Sequence, residues 1–282
     1  MAICSPSFPV RQRAWRPEEV PPFPAVALKA LNLMAGKDTS LLELCSLVRP
    51  DVAFSTEILR IANSPLIAFS KEITSVVQAS MLLGFQRLRK LVITVGLRAY
   101  LAEPFSPVLQ SCWRHSVACA MIAEQAAKAS YFDHHFAYTA GIMHDIGRVV
   151  LAVSMPREYA CVIERGADQP HDLLLSERAL CGIDHCQVGA ILVKEWALPE
   201  AFSAITACHH DSDPRVTDMA SLASLACLLA DSLGFGVVSY RSPRGYAEIL
   251  SGLPEATRNG FPADVEELTS KIAAEIKMIE SA

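Results

Sequence analysis

The chain has 282 residues, 51% of them hydrophobic and 20% charged, with a net charge of −5. That length and apolar content suffice for a sizeable core, in one large domain or two packed lobes. An acidic balance without a basic stripe excludes a nonspecific nucleic-acid binder, and no apolar run reaches the ~18 residues of a membrane span. The N-terminal MAICSPSFPVRQRAW lacks the apolar stretch of a secretory signal, which predicts a cytoplasmic protein. Nine scattered cysteines with no CxxC pair read as buried reduced thiols and exclude zinc-finger and thioredoxin-type chemistry.

Pro6, Pro9, Pro17, Pro21, Pro22 and Pro24 make the start of the chain an irregular arm. A first helix is predicted from Ala25 to Gly36, with an apolar stripe at Val26, Leu28, Leu31, Leu33 and Met34. Ser40 and Glu43 form a capping box for LLELCSLV. Pro50 and Asp51 open VAFSTEILRIA, which closes at Asn63, a residue tolerant of left-handed backbone, ahead of Ser64-Pro65. Ser75 and Gln78 predict a second capping box for a helix stopped by Gly84, and Phe85 to Tyr100 form the next. Arg87, Arg89, Lys90 and Arg98 recur at near-helical spacing and read as a solvated face.

Pro104 and Pro107 mark a joint, after which helices are predicted near 108–130, 136–147, 156–166, 172–181, 185–196, 199–209 and 217–233. Asp184 and Gln187 cap the fifth of these, bracketed by Gly182 and Pro199. The loop SYRSPRGY and a polar amphipathic helix after Pro262 complete the chain. The class is all-α. A solenoid is the alternative arrangement of short helices, but no repeat supports it.

The histidines are placed unevenly. His115 interrupts the apolar WRHSVACAM, His144 and Asp145 adjoin in GIMHDIGR, His185 follows Asp184, His209 and His210 adjoin, and Asp231 interrupts LACLLADSLG. A divalent ion needs several nitrogen or oxygen ligands converging from different elements. Neighbours on a helix diverge by about 100°, so His144 and Asp145 can share an ion only at a helix end, which Gly147 would supply. A carboxylate in an apolar run, like Asp231, needs a partner. Singly these residues have ordinary readings, His115 as a hydrogen-bonded core residue and Asp231 as a cap of the Gly234 turn. As a set they are metal-capable. His134 and His135 read as exposed in a loop, His171 as a helix-start residue, Trp113 and Trp196 as core, and Asn63 as a terminator bonding nearby backbone. Cys186 and Cys208 are placed in the core, off any face shared with His185 and His209.

The order His115, His144-Asp145, Asp231 resembles that of HD-domain metallophosphohydrolases, and residues 20–235 resemble the HDOD domain, the HD-related output domain of bacterial signalling proteins. The resemblance rests on PPFPAVALKALNLM, LLELCSLVRPDVAFSTEILRIANSP, ITSVVQASMLLGFQRLRKLV, WRHSVACA, TAGIMHDIGRVVLA and DHCQVGAILVKEWALPEAFSAITACHH; IANSP and LLGFQRLRKL are its specific parts. It implies an irregular arm over 1–19, a helical N-terminal lobe over 20–103 and an HD-like lobe over 104–235 packed together, then a loop and helix over 236–282. It also implies a divalent ion (Fe, Mn or Zn) on His115, His144, Asp145 and Asp231, joined by His185, His209 and His210 where the related HD-GYP phosphodiesterases place further ligands. Two departures from those enzymes stand out. DSDPRVTD follows His210 with no Gly-Tyr-Pro segment, and Arg148 stands where they carry lysine, which puts cyclic di-GMP hydrolysis in doubt.

Two functions of different classes follow. The first is a non-enzymatic regulatory module that contacts signalling proteins or a second copy of itself, with no nucleic-acid or membrane partner. Its sequence support is LLGFQRLRKLVITVGLRAY, too apolar to be left exposed. The alternative is a metal-dependent phosphohydrolase acting on a nucleotide or cyclic dinucleotide, with Arg148 contacting phosphate.

Overall fold

The computed structural model describes residues 14–35, 40–64, 73–101, 106–166, 170–210, 216–240 and 243–280. Cys4, Pro6, Pro9, Gly36, Pro65 and Pro104 lie outside them, as do the side chains of Met34 and His171. The described residues are helical and contain no strand. In order the helices are α1 (Ala25–Ala35), α2 (Leu41–Val48), α3 (Val52–Ala62), α4 (Val76–Tyr100), α5 (Pro107–Ala129), α6 (His134–Met143), α7 (Ile146–Ser154) and α8 (Pro156–Arg165). They continue with α9 (Pro170–Cys181), α10 (His185–Glu195), α11 (Ala201–Cys208), α12 (Met219–Ser232), α13 (Tyr246–Ser251), α14 (Glu255–Arg258) and α15 (Val265–Glu280). Among the described residues, no helix is long and apolar enough to cross a membrane.

The chain divides into two compact units. One takes Pro22–Ala102 and Glu266–Ala282, so the C-terminal helix belongs with the first four; the other takes Glu103–Val265 and the segment ahead of Pro22. In the smaller unit, α1, α2 and α3 each pack on α4. Local chemistry sets their ends. Ser40 and Glu43 form the expected capping box, with Glu43 N donating to Ser40 Oγ at 3.2 Å. Asp51 accepts from Phe54 N at 3.1 Å. Asn63 ends α3 without left-handed backbone (φ −91°): its side chain donates to Leu59 O and Ile73 O and accepts from Ile73 N at 2.8 Å, so the amide closes the turn. Ser75 makes no capping bond, contrary to its pattern. Gly84, with non-helical backbone at φ 73° and ψ 168°, divides α4 into two helical segments that meet at a kink, where the sequence places the end of one helix and the start of the next.

The apolar LLGFQRLRKLVITVGLRAY stretch buries Leu88, Val92 and Leu97 completely. Leu82, at its start, remains 44% exposed. Arg89 is buried, so the basic residues of α4 do not form a solvated face. The Arg98 guanidinium instead donates to the Ile279 carbonyl at the end of α15.

In the larger unit α5 is central, packed against α6 and α12, while α7 packs on α10 and α10 on α11. The helix predicted over 136–147 ends at Met143, and an unforeseen helix, α7, begins at Ile146. Gly147 lies inside α7 and supplies no helix end. Its role is spatial: a Cβ there would collide with the His185 carbonyl oxygen and come within 2.6 Å of Gly189 N. Gly141 plays the same part between α6 and α5, where a Cβ would stand 2.5 Å from Ala120 Cα. We expect Gly147→Ala to push α7 from α10 and cost about 3 kcal/mol or more in urea unfolding, above the ordinary penalty of overpacking. A cost below ~1 kcal/mol would show that the two backbones separate freely.

Candidate metal centre

The break between α6 and α7 builds the site. His144 closes α6, and Asp145 opens α7 with non-helical backbone (φ −106°, ψ 22°). Adjacent residues that would diverge on one continuous helix thereby face the same interior, each only 1% exposed. His144 Nδ1 donates to the Gly141 carbonyl at 2.7 Å, so Nε2 is the free nitrogen, and it has no hydrogen-bond partner. Asp145 Oδ1 lies 3.4 Å from His185 Nε2 and 3.6 Å from His209 Nε2, while Oδ2 pairs with the Arg148 guanidinium. Neither carboxylate oxygen completes a well-aligned hydrogen bond.

The other imidazoles are held from behind. His209 closes α11 and directs Nδ1 at the carbonyls of Ile205 and Thr206, both at 3.2 Å. His185 opens α10, capped by the Asp184–Gln187 capping box. Its Nδ1 donates to Glu177 Oε2 at 2.6 Å, its backbone N donates to the same oxygen, and Tyr159 donates to Glu177 Oε1 at 2.7 Å. His210 Nε2 stands 2.9 Å from His185 Nε2, and Arg148 Nη2 lies 3.4 Å from His210 Nε2. Ligand atoms of His144, Asp145 and His209 lie within 4.8 Å of one another, as do those of His185, Cys186, His209 and His210.

Charge in this interior is balanced by the chain. Burial opposes ionisation of Asp145, but Arg148 and His185 overcome it and hold the carboxyl well below its usual range. Burial likewise opposes charge on His185, and Glu177 overcomes it, raising the imidazole well above its usual value. Burial pushes His209 down despite its contact with Asp145, and burial with the neighbouring His209 pushes His210 well down.

His115 belongs to a neighbouring set. Its Nδ1 donates to Phe235 O at 3.1 Å and lies 3.7 Å from Asp231 Oδ1; its Nε2 meets Cys119 Sγ at 3.4 Å and Cys227 Sγ at 3.6 Å. Burial lowers His115, but Cys227 and Asp231 raise it to about 9. The Cys119 hydrogen bond and His115 hold the Cys227 thiol well below its ordinary value, and burial raises Asp231 to about 8. The residues that the sequence resemblance assigned to one ion are thus spread over two sets, with His144 common to both.

Glu177, Tyr159, Cys119 and Cys227 were not singled out from the sequence. Cys119 follows His115 by four residues and Cys227 precedes Asp231 by four, the spacing of one helix face, so that signal was available. Glu177, between Ser176 and Arg178 in LLLSERAL, gave none. Cys186, expected off the histidine face, lies with His185, His209 and His210, and Cys208, expected in the core, is exposed. His134 and His135 are not in a loop: they open α6 under an Asp133 cap, half-buried near Glu124. Trp113 is buried and Trp196 half-buried.

The HDOD domain profile matches residues 20–212, more than half of the chain. The chain belongs to the HDOD family. An uncharacterized protein of Treponema pallidum is 25% identical over 201 residues, covering 70% of this chain and 38% of the relative, so the chain spans well under half of that protein. An inferred signal transduction protein of Marinobacter aquaeolei has the same fold at TM-score 0.72 and 22% identity, over 96% of this chain and 63% of its own. An inferred phosphohydrolase of Shewanella amazonensis has it at TM-score 0.65 and 24% identity, over 93% and 95%.

Buried His, Asp and Cys side chains of this HDOD protein can hold a metal ion. The unmet His144 Nε2 and the Asp145 oxygens fit a cation.

The Glu177–His185 pair has a defined pH dependence. The lowered Glu177 carboxyl contributes stability that is present above its ordinary 4.5 and lost as pH falls through its depressed value. The raised His185 contributes stability that is full below 6.5 and lost as pH climbs through its elevated value. Glu177→Gln should therefore cost most between pH 4.5 and 6.5, about 3 kcal/mol as for a broken buried pair. Denaturant titrations at several pH values should show the gap from wild type narrowing above that window; a constant gap would mean that the pair is not ionic.

Proposed function

We propose that this protein is a regulatory module of the HDOD type that works through protein contacts, its buried cluster being a structural remnant of a phosphohydrolase centre. The observation that carries this reading is Arg148. Its guanidinium is 3% exposed, pairs with Asp145 and approaches His185 and His210, so the chain itself delivers positive charge to the carboxylate. Several kcal/mol of desolvation attend such a buried charge, and its pairing with Asp145 offsets them. The sealed position of His144, Asp145, His185 and His209 also denies a nucleotide-sized substrate direct approach.

Contacts with other proteins have surface available to them. Leu42, Val52, Met81 and Leu82, all in the smaller unit, are exposed, Val52 by 80%. A signalling partner or a second copy of the chain would cover them. The pair of substitutions Leu42→Asp and Val52→Asp should leave the circular dichroism spectrum unchanged and abolish self-association or partner capture measured by sedimentation and affinity purification. Wild-type protein that shows neither would remove the basis of this reading.

One observation favours the metal-dependent phosphohydrolase as a second reading: His144 Nε2 and Asp145 Oδ1 stand without hydrogen bonds beside His209. These three residues would hold the ion, and a bound divalent ion supplies a water of lowered pKa. Glu177, through His185, would keep the neighbouring imidazole oriented. Arg148, freed from Asp145, would take phosphate oxygens. With manganese or iron supplied, we expect no turnover of cyclic dinucleotides, nucleoside phosphates or a generic phosphodiester. Turnover lost in folded Asp145→Ala would establish the enzyme instead.

A further inference from the structure

We infer that Cys119, Cys227, His115 and His144 form a two-thiolate, two-imidazole site for zinc, distinct from the carboxylate set around Asp145. The four residues come from three elements. His115 and Cys119 share one face of α5, Cys227 comes from α12, and His144 stands at the end of α6. Both α6 and α12 pack on α5, which brings the ends of these side chains together.

The spacing of His115, His144 and Cys227 suits one ion, and Cys119, in contact with His115, would complete its tetrahedron. Zinc bonds of about 2.3 Å to sulfur and 2.0–2.1 Å to nitrogen place tetrahedral N and S ligands roughly 3.5 Å apart. His115 Nε2 lies 3.4 Å from Cys119 Sγ and 3.6 Å from Cys227 Sγ, and ligand atoms of His115, His144 and Cys227 lie within 4.8 Å of one another. Both rings are also held as metal-binding histidines are, the second nitrogen donating to a carbonyl. Nδ1 of His115 is committed to Phe235 O and Nδ1 of His144 to Gly141 O, which leaves Nε2 of each for the ion.

A metal-free network of thiol and imidazole hydrogen bonds accounts for the contacts of His115 with the two cysteines. It leaves His144 Nε2, buried beside Cys227, without a well-aligned hydrogen bond. An ion between the four ligands satisfies that atom. Charge points the same way, since two thiolates neutralise one divalent cation, a requirement where the ligand residues are at most 4% exposed. Two soft sulfurs and two imidazoles in tetrahedral array select zinc over manganese or magnesium. His144 has only one nitrogen to give, so an ion here competes for it with any ion on Asp145. The site stands whether or not the regulatory reading does.

The test uses the full chain, purified under reductant and without chelator, then loaded with zinc or with cobalt(II) as a spectroscopic stand-in. Near-stoichiometric zinc is expected. The cobalt form should show thiolate-to-metal charge transfer in the near ultraviolet and the intense visible bands of a tetrahedral ion. Cys119→Ser with Cys227→Ser should lose zinc and both spectral features, while Asp145→Ala and His209→Ala keep them. Wild-type protein that takes up no zinc, or a cobalt form lacking the thiolate band, overturns the proposal. So does metal that survives the double cysteine change and disappears with Asp145→Ala. Because the wild-type cobalt spectrum alone decides between sulfur and oxygen ligation, a cysteine variant that fails to fold leaves the test intact.

Discussion

The ion pair of Asp145 with Arg148, sealed from water, is the constraint on which the larger unit depends. A carboxylate and a guanidinium can be buried together only if each gains more from its neighbours than it loses in hydration. That requirement explains much of the surrounding sequence. His185 and His209 must present Nε2 to Asp145, so their other nitrogens are tied to Glu177 and to the end of α11. Glu177 must then be satisfied in turn, and Tyr159 does so. Gly147 has no side chain because α10, which carries His185, must come up against the backbone of α7. Charge, hydrogen bonding and close packing are met together by a few residues from five helices.

Much of the helical framework was legible from local chemistry. The Ser40–Glu43 and Asp184–Gln187 boxes and the all-α class follow from signals spanning a few residues. Ser75 has capping chemistry that the structure leaves unused, whereas Asn63 ends α3 as read, its amide bonding the backbone of Leu59 and Ile73. The division of HDIGR between two helices escaped notice because Gly147 reads locally as a terminator, while its purpose lies across the unit, at His185.

The site was legible in its histidines and in Asp145, since polar residues in apolar runs announce themselves. Its distribution was not. Nothing in spacing alone shows that His115 turns toward Cys119 and Cys227, or that His144 stands between two ligand sets. The absence of a CxxC pair was a poor guide to thiol chemistry for the same reason, because these cysteines approach from different helices. Membership in the HDOD family fixes the framework without deciding what the cluster does, as function resides in particular side chains placed on a shared fold.

The hydrogen bond from Tyr159 to Glu177 also gives the protein an optical reporter. Burial and the adjacent carboxylate keep this phenol protonated far beyond the alkaline range in which exposed tyrosines ionise. Tyrosinate absorbance from Tyr159 therefore appears only when α8 and α9 part and water reaches the ring. Because burial also raises Tyr100 and Tyr240, the difference between wild type and Tyr159→Phe in an alkaline jump followed in the ultraviolet isolates the opening of this polar interior.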